Sequence, residues 1–118
     1  SKIKESPFIE NIFVIGENQK FTGAIIVPNI EHIEAWCKVK SIPYSSSKDI
    51  LENRVIFQRI KREVDKYGME LDKTERVKVF RIVLDEWTVE TNELSPTLKL
   101  KRNVLNKKYD SLIRSIYE

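Results

Sequence analysis

The order of segments in this chain predicts an α+β domain: a small mixed or antiparallel sheet covered by helices. Three observations carry that expectation. Two apolar, β-rich runs flank a turn near the N-terminus, stretches with one-sided apolar stripes predict helices over 30–39, 46–67 and 103–117, and a third β-rich run sits before the last helix. At 118 residues the chain suffices for one modest core and not for two.

The first run, Phe8 to Ile15, is followed by Gly16-Glu17-Asn18-Gln19-Lys20 and by a second run, Phe21 to Val27, a spacing that predicts a hairpin. Both runs are nearly continuous in apolar residues (Ile12-Phe13-Val14-Ile15 and Ala24-Ile25-Ile26-Val27), which predicts strands covered on both faces. Pro28 stops the second strand and Asn29 is suited to cap a helix over 30–39. Ser41 to Ser47, with Pro43, reads as a loop. Ser46 followed by Asp49 has the spacing of a capping box and predicts one long helix to about Tyr67, ended by Gly68. Its stripe of Ile50, Phe57, Ile60, Val64 and Tyr67 is ordinary core packing. Val77 to Leu84 predicts a third strand. Asp85-Glu86-Trp87 breaks it, and Thr88 to Glu93 reads as a short hairpin arm. The last helix, Asn103 to about Tyr117, puts Leu105, Tyr109, Leu112, Ile113 and Ile116 on one side.

Composition narrows the function classes. A hydrophobic share of 41% and a charged share of 33% are those of a globular protein. No run approaches the roughly 18 apolar residues of a membrane span, and Ser1-Lys2-Ile3-Lys4-Glu5 lacks the apolar core of a signal peptide. The absent initiator methionine gives the expectation that the chain is cut from a longer protein. One cysteine, Cys37, excludes an internal disulfide, and its stripe with Ile30 and Ile33 predicts a buried thiol. The single histidine, His32, rules out a histidine-based zinc site and reads as a solvated helix residue, so no metal site is expected. These features suit a cytoplasmic protein. The net charge of +3 is mild and acidic residues interleave the basic clusters, so no nucleic-acid partner is expected.

The most informative stretch is Glu93-Leu94-Ser95-Pro96-Thr97-Leu98-Lys99-Leu100-Lys101-Arg102. A Ser-Pro turn leads into alternating apolar and basic residues. In an extended strand side chains two apart share a face, so Thr97, Lys99 and Lys101 are expected to project together, with Leu98 and Leu100 facing the core.

These residues, with Val14-Ile15-Gly16-Glu17-Asn18-Gln19-Lys20-Phe21, Ala24-Ile25-Ile26-Val27-Pro28-Asn29 and Trp87-Thr88-Val89-Glu90-Thr91-Asn92, resemble the C-terminal domain of AMP-forming long-chain fatty acid–CoA ligases, in the adenylate-forming superfamily. The similarity is collinear over nearly the whole chain; residues 38–76 are the least distinctive. The superfamily's closing motif runs Thr/Ser-Gly-Lys-x-x-Arg. Here Thr97, Lys99 and Arg102 match it, and Leu98 replaces the glycine, as is usual in the long-chain branch.

The resemblance implies the small, mobile domain of a larger ligase, whose reaction has two halves. A fatty acid and ATP give acyl-AMP, and CoA then takes the acyl group. It further implies that Lys99 is the catalytic lysine of the adenylation half, with Thr97 and Arg102 in support, and that the domain rotates between halves. ATP, magnesium and CoA would serve the full-length enzyme, and none would be bound by this piece alone. The chain has only Gly16, Gly23 and Gly68 and no Ser/Thr/Gly-rich phosphate loop, so it is expected to be inactive without an N-terminal domain. The parent is expected in the cytoplasm, at most peripheral to a membrane. Two other readings stay open: a stand-alone protein- or nucleic-acid-binding module, and the same domain from a ligase for a different carboxylic acid.

Overall fold

The computed structural model describes residues 2–118. β1 (Ile9–Ile15) and β2 (Thr22–Pro28) pair antiparallel, with Ile15 opposite Gly23 and a register shift between Ile9 and Asn11. β3 (Val77–Ile82) pairs parallel to β2, giving a three-stranded mixed sheet in the order β1-β2-β3. A parallel partner needs a crossover, and the helices between β2 and β3 provide it. Central β2 is buried along all seven residues, which accounts for its unbroken apolar run.

Each face of the sheet has its own core. Ile12, Ala24, Ile26 and Phe80 face Ile33, Cys37, Ile56, Ile60 and Val64. Phe13, Ile25 and Val27 face Trp87, Leu105, Tyr109 and Ile116. Neighbours in sequence, such as Ile12 and Phe13, therefore serve opposite cores, as the pleat requires.

α1 (Ile30–Val39) starts where Asn29 predicts it: the Asn29 side chain accepts the His32 backbone N–H at 3.0 Å. Cys37 is buried beside Ile33, and burial raises its thiol pKa. His32 departs from expectation. It is half-buried, with its ring edge-on to Phe8 at 4.5 Å between centroids.

The expected long helix from Ser46 to Tyr67 is two helices, α2 (Lys48–Glu52) and α3 (Arg54–Gly68). Asn53 sits between them in an extended conformation, and its side chain accepts the N–H groups of Val55 (2.8 Å) and Ile56 (3.2 Å). An Asn side chain that competes for backbone donors stops one helix and starts the next. Half of the expected capping box forms: the Asp49 carboxylate reaches back to the Ser45 N–H at 2.6 Å and the Ser46 N–H at 3.3 Å, while the Asp49 N–H bonds the Ser46 carbonyl at 2.9 Å and not its hydroxyl. The bonds from Ser45 and Ser46 lower the Asp49 pKa. Ile50, Ile60 and Val64 are buried as predicted, joined by Ile56. Phe57 instead lies at the edge, stacked on Phe80 with centroids 5.0 Å apart. Gly68 is the last residue of α3 and not a left-handed cap beyond it.

β3 ends two residues before Leu84, and Thr88 to Glu93 forms no strand arm. That segment is a turn, closed by the Asn92 N–H on the Val89 carbonyl at 3.1 Å. The last helix is likewise divided, into α4 (Arg102–Lys108) and α5 (Asp110–Tyr117), at Tyr109. Leu105, Tyr109 and Ile116 are buried on the predicted side, with Leu112 and Ile113 partly buried.

Candidate functional site

Residues 93–101 form a tight hairpin. The Ser95 N–H donates to the Lys99 carbonyl at 2.8 Å, and the Leu98 N–H donates to the Ser95 carbonyl at 2.7 Å. Leu94 and Leu100 face each other in an isolated antiparallel bridge, and the Lys101 N–H closes the base on the Glu93 carbonyl at 2.8 Å. The Ser95 hydroxyl adds a contact to the Lys99 N–H at 3.2 Å and lies 3.1 Å from the Thr97 hydroxyl.

This geometry corrects the expected row of side chains. The chain reverses over 95–98, so strand alternation does not extend to the tip. Leu98 takes φ +64° and is 64% exposed, not core-facing. A left-handed leucine costs about 1–2 kcal/mol, which the surrounding hydrogen bonds offset. Leu100 does pack into the second core. Thr97 belongs to the turn, and the Lys101 ammonium leans back to the Asn92 side chain. Lys99 is exposed, its backbone pinned at both N–H and carbonyl. Its ammonium makes no hydrogen bond or ion pair with any described residue. A fixed backbone thus carries a cation that is free to meet a partner outside the domain.

Arg102 opens α4. Its guanidinium donates to the Val14 carbonyl at 2.7 Å and lies 4.8 Å from the centre of the Phe13 ring. It fastens the hairpin exit to β1.

Two anchors beneath the hairpin escaped the sequence reading. Glu93 is 2% exposed. Its Oε1 accepts the Thr88 N–H at 3.2 Å and the Thr91 hydroxyl, and its Oε2 accepts the Lys108 ammonium at 3.0 Å. Burial alone would push this carboxyl up, but the Thr91 and Lys108 hydrogen bonds, the Thr88 N–H and the Lys108 charge outweigh it and hold the pKa at about 2. The second anchor is Tyr109, whose hydroxyl donates to Asp85 at 2.6 Å and accepts the Trp87 indole N–H at 2.8 Å. Burial, reinforced by the Asp85 carboxylate, raises the Tyr109 pKa and keeps the phenol protonated. The available signal was the run Thr88, Thr91, Glu93, hydroxyls spaced around one carboxylate; Lys108 is distant in sequence and comes near only in the fold.

Concavities lie elsewhere on the domain, away from Lys99. One of about 740 Å³ is lined by Gly16, Phe21, Thr22, Lys73, Arg76 and Lys78. Among the described residues no group of three or more His, Cys, Asp or Glu side chains could hold a metal ion. No described helix is long and apolar enough to cross a membrane.

The family model described as the AMP-binding enzyme C-terminal domain matches residues 1–118. A long-chain-fatty-acid–CoA ligase of Mycobacterium tuberculosis is 30% identical over 117 residues, covering 98% of this chain and 20% of the relative. Human long-chain-fatty-acid–CoA ligase 6 is 30% identical over 118 residues, covering 98% of this chain and 17% of the relative. The chain therefore spans a fifth or less of these relatives' length. Among solved structures, the adenylation domain of a carboxylate reductase from Mycobacterium chelonae superposes with a TM-score of 0.76 at 25% identity, covering 98% of this chain and 16% of that one. Fold, closing motif and a match over the full sequence agree: this chain belongs to the AMP-binding enzyme C-terminal domain family.

Proposed function

We propose that this domain supplies Lys99 to the adenylation half-reaction of a long-chain fatty acid–CoA ligase, in which it works with an N-terminal domain carrying the ATP and acyl sites. The observation that carries the reading is the exposed Lys99 ammonium, without a partner among the described residues, on a backbone pinned by Ser95. The whole-chain similarity to long-chain ligases supports the substrate class.

In that reaction a carboxylate oxygen of the fatty acid attacks the α-phosphorus of ATP. The new P–O bond forms as the bond to pyrophosphate breaks, giving acyl-AMP. Charge gathers on the carboxylate and the phosphoryl oxygens, and such transfer is helped mainly by positioning and electrostatic stabilisation. A lysine suits this task because its compact ammonium can bridge two oxygens of different groups. Thr97 and Arg102 support it indirectly: Thr97 stands in the turn that sets the Lys99 backbone, and Arg102 holds the hairpin exit to β1. The CoA thiol then attacks the acyl carbonyl and AMP leaves. That half makes no use of Lys99, and rotation of the small domain would withdraw it. Magnesium, as the companion of ATP, would be held outside this domain. On this reading the 118-residue domain alone is inactive, and the parent works in the cytoplasm or at a membrane surface.

A second reading, the same domain serving a different carboxylic acid, draws on the likeness to the carboxylate reductase adenylation domain. Acid-dependent ATP–pyrophosphate exchange by the full-length enzyme separates the two. Palmitate is expected to drive exchange far better than acetate or benzoate, and to lose that effect in Lys99→Ala. A clear preference for benzoate or acetate would overturn the long-chain assignment, and undiminished exchange in Lys99→Ala would overturn the role of the lysine.

A further inference from the structure

We propose that Glu93 is a positioning residue for adenylation, locking the hairpin that presents Lys99 to the body of the domain; this rests on the assignment of Lys99 given above. Glu93 belongs to two structures at once. Its backbone carbonyl accepts the Lys101 N–H at 2.8 Å and so closes the hairpin base. Its side chain is held from two other segments: the turn 88–92, through the Thr88 N–H and the Thr91 hydroxyl, and α4, through the Lys108 ammonium at 3.0 Å. Next in sequence, the Leu94 N–H donates to the Thr88 carbonyl at 3.2 Å, a further tie between the same segments.

The groups around this carboxylate make it a specific lock. Lys108 faces it from α4 with a side chain 35% exposed, while the carboxylate side chain is only 3% exposed. The neighbouring Tyr109 hydroxyl is engaged with Asp85 and Trp87, and the Lys101 ammonium is turned to Asn92. Lys108 is thus the one cation bonded to Glu93 among the described residues. A buried carboxylate with donors on both oxygens has little freedom to swing, because losing any donor leaves charge buried without a partner. The hairpin is also fastened by the packing of Leu94 and Leu100 in the second core, by the Arg102 bond to Val14, by the Lys101 ammonium on the Asn92 side chain and by the Leu105 N–H on the Lys101 carbonyl at 3.1 Å. Among the described residues, only the Glu93 side chain joins the hairpin base by hydrogen bonds to both the 88–92 turn and α4.

The substitution Glu93→Gln tests the lock with almost no change in shape. The amide oxygen can keep Thr88 and Thr91, but the amide nitrogen then faces the Lys108 ammonium, donor against donor. In the full-length ligase, Glu93→Gln is expected to lower fatty-acid-driven ATP–pyrophosphate exchange about a hundredfold, the scale of an ångström-sized misplacement. Acyl transfer from supplied acyl-AMP to CoA should stay within about twofold of the parent, because a displaced Lys99 affects only the first half. Amide hydrogen exchange across 93–101 should speed up while β1 and β2 keep their protection. Pairing Glu93→Gln with Lys108→Gln, which turns the clash into an amide–amide bond, should restore exchange activity at least about tenfold of what was lost.

Normal adenylation in Glu93→Gln, with Lys99→Ala inactive in the same assay, would overturn the proposal while leaving Lys99 in place. Loss of both half-reactions together, with protection lost across the sheet, would overturn it as well, by showing a role in the fold as a whole. If Lys99→Ala itself adenylated normally, the reading of Lys99 would fall; unchanged hydrogen exchange over 93–101 in Glu93→Gln would then also dismiss Glu93 as the lock.

Discussion

Replacing Tyr109 by phenylalanine removes one oxygen and tests how the segment before the Lys99 hairpin is held. In the folded chain that oxygen accepts the Trp87 indole N–H at 2.8 Å and donates to Asp85 at 2.6 Å. Trp87 is 4% exposed and Tyr109 is 7% exposed, so no solvent stands ready to replace the phenol at the indole. Asp85 is exposed and can turn to water instead. The cost is therefore that of one buried donor left unsatisfied, about 1–3 kcal/mol. Ring packing contributes little to the change, since the ring stays. For a domain near this size, each kcal/mol corresponds to a fall in Tm of about 4 °C or somewhat more. Thermal melting followed by circular dichroism, with a urea titration as a second measure, reads this directly. In the double variant Trp87→Phe/Tyr109→Phe no donor is left stranded, so the two losses should fall clearly short of additive. A Tyr109→Phe melting point equal to that of the parent would refute the reasoning, and so would strict additivity in the double variant.

Further predictions concern acid stability and packing. The Glu93 carboxyl is held at about 2 in the folded chain against an ordinary 4.5, so the unfolded chain binds the extra proton between those values. Its contribution to stability is complete above about pH 4.5 and is lost as the pH falls towards 2. Urea midpoints measured across that window should fall more steeply for the parent than for Glu93→Gln; parallel curves would contradict the assignment. At Gly23, on central β2, an added Cβ would stand 2.9 Å from the Ile116 Cγ2 and 3.1 Å from the Tyr117 hydroxyl. That hydroxyl lies within hydrogen-bonding distance of the Ile15 and Phe21 carbonyls, so α5 cannot move away freely. Gly23→Ala should destabilise the domain by about 1–3 kcal/mol in chemical denaturation, the usual cost of overpacking. A neutral result would mean that α5 yields without penalty.

The parts of the fold that periodicity could reveal are those where one physical cause acts alone. Ile12 to Ile15 and Ala24 to Val27 are apolar on both sides because both faces of the sheet are covered, and Asn29 caps α1 through a local bond to the His32 N–H. Expectation failed where a side chain won backbone donors or a distant partner. Asn53 takes the Val55 and Ile56 N–H groups and divides a helix whose apolar stripe continues through it. Tyr109 interrupts the last helix, and its hydroxyl is engaged with Asp85 and Trp87, more than twenty residues earlier. At the candidate site, alternation placed Leu100 correctly but failed for Leu98, because Ser95 and Pro96 turn the chain before the pattern can apply. Lys99 was legible as a motif residue. The Glu93 carboxylate beneath it was not, since its meaning depends on Lys108, which only the fold brings near.

Separate assay of the two half-reactions in the full-length ligase carrying Lys99→Ala tests the central claim most directly. Fatty-acid-dependent ATP–pyrophosphate exchange is expected to fall by orders of magnitude, while transfer from supplied acyl-adenylate to CoA continues nearly unchanged. Equal activity of the variant and the parent in both halves would contradict it.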